Sequence, residues 1–368
     1  MGGILIAGSR GYPANYGGFE TLAQNLADQW SEQHFHIFVT GFSTSHTNPI
    51  EITSHKGGLI KTVKVNLPVW SRLKNLVCTF VAVVYTVRKF DIDDALVLND
   101  VNLLSALFLK VCKIRTVIHL DGDESARRGL PKVGRFVHSV FRKVAFRHLD
   151  NLVVDSMALL RNVPRNSKGR VHVVKYGVNP KDIYKEKIPL DVEWIKDNYI
   201  LVVARFVPEN NIQEILGAYL SSSCKVPLVI IGKGTGGHKY EKEIERLAHI
   251  REGKVFVVSA IYDSKLIHSL LANSALYVHG HEAGGTNPIL ISARFFAKNI
   301  AAHDNVYNQE GSGLKETFWN STSQLVQIFN QLDGQVEIAD ENPRREIGIE
   351  SWESISLQYL ELIKESRP

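Results

Sequence analysis

Two trains of short apolar runs, each alternating with helical patterns, constrain this chain most. In the first, Ile4–Ala7, His36–Thr40, Thr62–Val65, Ala95–Leu98, Arg115–His119 and Leu152–Val154 read as strands. Phe19–Trp30 and Val101–Lys110 carry apolar residues at helical spacing between them. The second begins at Ile200–Ala204 and continues through Leu228–Ile231, Val255–Val258, Leu276–His279 and Ile300–Ala302. Its helices are expected at Asn211–Leu220, Lys239–His249, Lys265–Leu271 and Pro288–Phe296. Such alternation predicts a parallel sheet with helices on both faces. Doing so twice predicts an α/β chain of two doubly wound units in tandem. At about 100–200 residues per domain, a chain of 368 residues fits that division. Residues 1–186 form the first expected domain and 187–350 the second. A final helix over 351–368 is expected to pack back across the domains. Ligands of open α/β sheets bind beyond the carboxyl ends of the strands, so two facing units imply a cleft between them.

Composition narrows the class. Hydrophobic residues make up 44% and charged residues 22%, which excludes disordered, collagen-like and coiled-coil chains. Cys78, Cys112 and Cys224 are too few and too scattered for a disulfide framework or a zinc site, which fits a reducing compartment. The segment from Met1 to Gly8 reads as a strand without a basic region or cleavage site, so no secretory leader is expected. The longest apolar run, Leu76 to Val87, is broken by Thr79, Tyr85 and Thr86. It falls short of the roughly 20 residues of a membrane span and reads as a buried helix. A net charge of +5 suggests an anionic partner.

Chemistry concentrates where strands give way to glycine-rich turns. The first strand runs into Gly8-Ser9-Arg10-Gly11-Tyr12-Pro13-Ala14-Asn15-Tyr16-Gly17-Gly18. Gly17 and Gly18 lie just before a helix, where amides face an anion or sugar hydroxyls. The spacing is neither a dinucleotide fingerprint nor a P-loop, and a tight turn explains it equally well. In the second half Gly232-Lys233-Gly234 follows one strand, and His281-Glu282-Ala283-Gly284-Gly285-Thr286-Asn287-Pro288 follows another. Proline at a helix start is in its favoured place. The amides of Gly285, Thr286 and Asn287 would then cradle a diphosphate, with Arg205, just past its strand, as the fixed cation.

These residues resemble family 4 glycosyltransferases of the GT-B fold. Within them, the chain is similar to the bacterial subgroup that includes rhamnosyltransferases of surface-polysaccharide assembly. The resemblance rests on Gly8–Ala14, Tyr16–Thr21, His119-Leu120-Asp121-Gly122, Ala204–Asn211, Gly280–Pro288, Ala302–Asn305 and Ser351-Trp352-Glu353, and so spans nearly the whole chain. It implies metal-independent, retaining transfer of a sugar from a nucleotide donor to a growing glycan or lipid-linked acceptor. The nucleotide would sit in the C-terminal domain, against Arg205, Asn210, Gly232, Lys233, Gly285, Thr286 and Asn287. His119 and Asp121 would line the reacting sugar, and Arg205 would act on the leaving group. No cofactor beyond the donor substrate is implied. One departure stands out: Ser292 occupies the place of the family's ribose-binding glutamate. Losing that acceptor weakens a ribonucleotide by about 1–3 kcal/mol. This is compatible with dTDP-rhamnose, and equally with a catalytically silent subunit. A nucleotide-sugar epimerase of the same fold is a further alternative.

Three other patterns compete for attention. Asp91-Ile92-Asp93-Asp94 and Asp121-Gly122-Asp123 contain Asp-x-Asp, a metal motif, but the first reads as a solvated turn before a strand. His279 and His281 share a strand face without a third ligand at zinc spacing, so no metal site is expected. The segment 125–148 carries seven Lys or Arg, no acidic residue and interleaved Val and Phe. It reads either as a charged outer helix face or as a peripheral contact with the inner face of the plasma membrane. Nucleic acid is not expected, since no binding motif accompanies the charge.

Overall fold

The computed structural model describes residues 2–14, 17–42, 49–68, 71–120, 122, 132–184, 198–234, 238–282, 285–313, 316–332 and 348–366. The chain forms two compact units, 1–177 with 350–368, and 178–349. The sequence reading draws the boundary later, at 186/187. Residues before that point are held by the second unit: His268 Nδ1 lies 2.9 Å from the Asp182 carbonyl, and the Tyr184 amide donates to Ser269 Oγ at 2.8 Å.

The first unit runs β1 Gly3–Ala7, α1 Gly18–Glu32, β2 Ile37–Phe42, β3 Ile50–His55, β4 Ile60–Val65, α2 Ser71–Lys89, β5 Ile92–Leu98, α3 Leu103–Val111, β6 Arg115–His119, α4 Lys132–His148, β7 Asn151–Val154, α5 Met157–Arg161 and β8 Val171–Val173. Its sheet has the order β3-β4-β2-β1-β5-β6-β7-β8, parallel except for β3. The β1 run Gly-Ile-Leu-Ile-Ala is buried throughout, as a parallel strand covered on both faces must be. β3 escapes the sequence reading because it is a half-exposed edge strand without an apolar run.

The second unit runs β9 Ile200–Val203, α6 Ile212–Ser221, β10 Leu228–Gly232, α7 His238–Ala248, β11 Val255–Ser259, α8 Ser264–Asn273, β12 Leu276–His279, α9 Pro288–Phe296, β13 Ile300–His303, α10 Val306–Gln309, β14 Glu316–Trp319 and α11 Thr322–Leu332. Its sheet is wholly parallel, ordered β11-β10-β9-β12-β13-β14. The core packs α6 and α11 against the strands around Tyr219, Phe329 and Trp319.

The last helix, α12 Trp352–Glu365, belongs to the first unit. There it packs on α1, where Trp30 Nε1 donates to the Ser356 carbonyl at 3.1 Å. Asn151 Nδ2 donates to the Leu362 carbonyl at 2.9 Å and so ties α12 to β7.

Candidate functional site

Each sheet reverses its strand order once, between β1 and β5 in the first unit and between β9 and β12 in the second. The carboxyl ends of strands flanking such a reversal open a crevice that binds ligands. The motif residues stand there in both units.

In the second unit, the turns after β9 and β12 are bonded together. Asn210 is buried, and its Nδ2 donates to the Arg205 carbonyl at 2.8 Å. Its Oδ1 accepts from His281 Nδ1 at 2.9 Å. Asn210, expected from the sequence to meet the nucleotide, thus braces the Arg205 turn against His281 with one donor and one acceptor of its amide. Asn211 takes the left-handed conformation, with φ 50°, and donates to the Gly280 carbonyl at 2.9 Å and to Glu282 Oε2 at 3.2 Å. A side chain at Gly280 would start 2.2 Å from the Asn210 carbonyl oxygen, so glycine there permits the two turns to meet. Asn305 and Asn308 both donate to the His281 carbonyl, at 3.0 and 2.8 Å, and bind the turn after β13 to the same point.

Asn287 caps α9, its Oδ1 accepting from the Ile289 amide at 3.2 Å. Pro288 fills the first helical position, and Gly285 has φ 153°. The N-terminus of α9, with its partial positive charge, therefore opens at the reversal point near the turn that holds Arg205. Gly232 ends β10, and the Phe206 amide donates to the Lys233 carbonyl at 3.0 Å. A Cβ at Gly232 would fall 1.9 Å from the Ala204 carbonyl oxygen, so this glycine serves strand packing. Lys233 is exposed beside it.

Ser292 lies one turn into α9. Its Oγ is 3.2 Å from His268 Nε2, and His268 Nδ1 is 3.2 Å from Asp182 Oδ2. His268 is buried and stacks on Phe296, with ring centroids 4.4 Å apart. Burial pushes the Asp182 carboxyl upward, but hydrogen bonds from His268 and Ser264 and nearby positive charge outweigh it, holding it below the usual range. Neither His268 nor Asp182 is legible as a site residue from the sequence, because no spacing links 182, 268 and 292.

His279, beneath this turn, is buried with Nδ1 3.0 Å from the Tyr277 hydroxyl. Burial, then the charges of His281, Arg294 and His303, depress its pKa far below the usual range, so it stays neutral. Among the described residues no group of three or more His, Cys, Asp or Glu converges to hold a metal ion.

In the first unit, Gly8 has φ 99°, and a Cβ there would lie 2.2 Å from the Leu98 carbonyl oxygen, where β5 ends. The following turn folds onto β2 and β4: Ser9 Oγ donates to the Thr40 carbonyl and Thr62 Oγ1 to the Tyr12 carbonyl, both at 3.2 Å. Gly17 precedes α1, and a Cβ there would touch Glu20 Oε2 at 3.2 Å. Phe19, next to Gly18, meets the His119 ring edge-on at 5.3 Å. The structure thus brings His119 to the Gly17–Gly18 turn, at the end of β6. His119 is buried, with Nδ1 2.7 Å from the Tyr359 hydroxyl of α12. Burial, then the Asp155 charge, raises the Tyr359 pKa well above its usual value, so the phenol stays protonated. Asp121 lies outside the described residues, as does Asp123. The other Asp-x-Asp is no solvated turn: Asp93 Oδ2 accepts from the Gly2 amide at 2.9 Å, and Asp94 pairs with Arg115 Nε at 2.7 Å from within β5.

Residues 1–179 match a domain of unknown function (DUF1972). No curated protein sequence matches the chain. Solved structures do. Sucrose-phosphate synthase from Thermosynechococcus elongatus aligns at TM-score 0.79 and 15% identity, covering 99% of each chain. The UDP-forming α,α-trehalose-phosphate synthase of Burkholderia xenovorans, in complex with glucose-6-phosphate, aligns at 0.74 and 13%, covering 99% of this chain and 100% of that one. Trehalose-6-phosphate from E. coli bound with UDP-2-fluoro glucose aligns at 0.70 and 12%, covering 99% of each. With two parallel-dominated sheets matched over their full length, the chain has the GT-B fold.

Proposed function

We propose that this protein is a retaining glycosyltransferase. It moves a sugar, rhamnose from a dTDP donor in the favoured reading, to a lipid-linked or growing oligosaccharide in cell-surface polysaccharide synthesis. The observation that carries the reading is the reversal point of the second unit. There Asn210 braces the Arg205 turn against His281, beside the capped N-terminus of α9. A helix N-terminus and an adjacent guanidinium suit a diphosphate, and both stabilise charge that grows as the bond to the leaving group breaks. The structural neighbours bound with UDP-2-fluoro glucose and with glucose-6-phosphate lend support to a nucleotide-sugar donor and a sugar acceptor. His119 and Asp121 line the reacting sugar, and Gly17 and Gly18 shape the junction of donor and acceptor. Protein groups supply the positive charge, so no metal is needed. The acceptor proton leaves with the departing phosphate on the face from which the sugar is attacked.

A lipid-linked acceptor places the work at the cytoplasmic face of the membrane, with segment 125–148 as the peripheral contact. No helix among the described residues is long and apolar enough to cross a membrane. The test is donor turnover: dTDP-rhamnose and UDP- and GDP-sugars are incubated with the protein, with and without a lipid-linked oligosaccharide. Acceptor-dependent transfer with retained anomeric configuration supports the reading. Nucleotide binding without turnover favours a silent subunit, the reading that Ser292 in place of a carboxylate motivates. Conversion of the donor without an acceptor favours an epimerase.

A further inference from the structure

The helices of the first unit are sorted by charge. The connections β4–α2–β5, β5–α3–β6 and β6–α4–β7 all cross the sheet in one direction, and right-handed crossovers place such helices on one face. α2 packs on α3, with Phe80 and Phe108 ring centroids 5.8 Å apart. The connection β1–α1–β2 runs the other way and puts α1 on the opposite face, where α12 joins it. The α2–α3–α4 layer carries four, one and five Lys or Arg on its three helices, and no Asp or Glu. The α1–α12 layer carries Glu20, Asp28, Glu32, Glu353, Glu361 and Glu365 against Lys364 alone.

α4 is also turned the unexpected way. His138 Nδ1 and Arg142 Nε point inward to the buried Asp100, at 2.8 and 3.4 Å. Three of its apolar residues point out: Phe136 is 69% exposed, and Val137 and Val140 are each 37% exposed, while Ala145 and Phe146 near its end are buried. Phe136, Val140, Lys143 and Arg147 follow at helical spacing, so the apolar stripe and the exposed cations share one side. On α3, Leu104 and Val111 are exposed as well. On α2, Val81, Val84 and Tyr85 form an apolar groove with Ile50, rimmed by Arg88 and Lys89.

We infer that the whole α2–α3–α4 layer is a docking face for an anionic lipid bilayer. The exposed cations Arg88, Lys89, Lys143 and Arg147 meet the headgroups, and Phe136, Val137 and Val140 enter the acyl boundary. Cations attract the negative surface, and apolar side chains among them gain what water denies them. A nucleic acid would use the cations but leave this apolar stripe in water. The inference extends the membrane location proposed above from one segment to a layer. It does not rest on the sugar chemistry: loss of transferase activity would leave it standing, and loss of vesicle binding would leave transfer to a soluble acceptor standing.

The test is co-sedimentation of the full chain with vesicles of phosphatidylcholine, alone or with phosphatidylglycerol, across a salt series. One variant carries Arg88→Glu, Lys89→Glu, Lys143→Glu and Arg147→Glu, all at exposed positions. A second carries Phe136→Ser and Val140→Ser. The wild type is expected to bind the anionic vesicles and not the neutral ones. Each cation near such a surface is worth about fivefold, so the charge variant loses on the order of several hundredfold. The apolar variant loses roughly tenfold, and what remains is released by salt. Because its changes are exposed, it keeps the inference testable should the charge variant misfold. Equal binding to both vesicles, or binding untouched in a folded variant of either kind, overturns the inference. So does tighter capture of a duplex oligonucleotide than of anionic vesicles.

Discussion

Removing Arg294 tests how the α9 helix is held to the sheet. Its Nε and Nη2 meet Glu316 Oε1 and Oε2 at 2.6 and 3.1 Å, and both side chains are 2% exposed. Nη1 also donates to the Glu310 carbonyl at 2.8 Å, and Nη2 to the Asn308 carbonyl. Arg294→Met strands a buried carboxylate as well as two carbonyls, and breaking such a pair costs about 3–5 kcal/mol. At roughly 2–4 °C per kcal/mol, a loss of about 4 kcal/mol lowers Tm by about 8–16 °C. Arg294→Met with Glu316→Leu removes both charges and leaves mainly the two carbonyls, at about 1 kcal/mol each. The double variant is therefore expected to be more stable than the single. Urea unfolding followed by tryptophan fluorescence reads this out, because Trp319 is buried in β14 three residues from Glu316. A single variant within about 1 kcal/mol of the wild type, or a double variant that loses the sum of the two singles, would refute the reasoning.

Arg205→Ala is expected to lower turnover by about 10²–10³-fold with little change in Tm, since the residue is half-buried in the turn after β9 and lies outside the apolar core; an unchanged rate removes it from the mechanism. Activity is expected to survive chelation by EDTA, and loss restored by Mn²⁺ would reverse that view. The wild type is expected to prefer dTDP over UDP, and Ser292→Glu to narrow the gap by about 1–3 kcal/mol in calorimetry; equal affinities in both proteins refute it. Gly232→Ala forces β9 and β10 apart, because both the Ala204 carbonyl and the Phe206 ring lie within 2.6 Å of the new carbon. It should cost about 1–3 kcal/mol or more by urea unfolding, and a neutral result would refute the close approach.

The central strands were legible because burial on both faces forces continuous apolar runs, as in β1 and β10, both buried throughout. The edge strands β3, β8 and β14 were not, although β11, also at an edge, was. β14 is Glu-Thr-Phe-Trp, and its place follows from register with β13 and from the Arg294 ion pair, which no local pattern announces. The site divides likewise. As candidates, Arg205 and the Gly285–Asn287 turn were legible because both stand on strand-end turns, one of them with glycines and a capped helix start. The part played by Asn210 was not, since a buried brace and an exposed ligand look alike in sequence. The facing of α4, which the sequence leaves open between two readings, is decided for a related reason. One buried carboxylate, Asp100, draws His138 and Arg142 inward, and Phe136, Val137 and Val140 turn out.

What Ser292 can offer a ligand follows from what holds its side chain. His268 Nδ1 faces two oxygens of Asp182, the carbonyl at 2.9 Å and Oδ2 at 3.2 Å, and both can only accept. Nδ1 therefore carries a proton and donates it to Asp182. Nε2 of the same ring lies 3.2 Å from the Ser292 hydroxyl and holds that side chain in place on α9. Serine, histidine and aspartate in this order also resemble a hydrolytic triad. Ser292, however, sits inside a regular helix, where its own amide is committed to the backbone ladder and is not turned toward a developing oxyanion. The arrangement makes a fixed acceptor, not a nucleophile. One oriented oxygen accepts one ligand hydroxyl where a glutamate would accept two. On the proposed reading the deoxyribose preference thus arises from the His268–Asp182 support as much as from the short side chain. One helical turn, about 5.4 Å, separates this oxygen from the amides that would hold the diphosphate, a spacing that a nucleoside sugar can bridge.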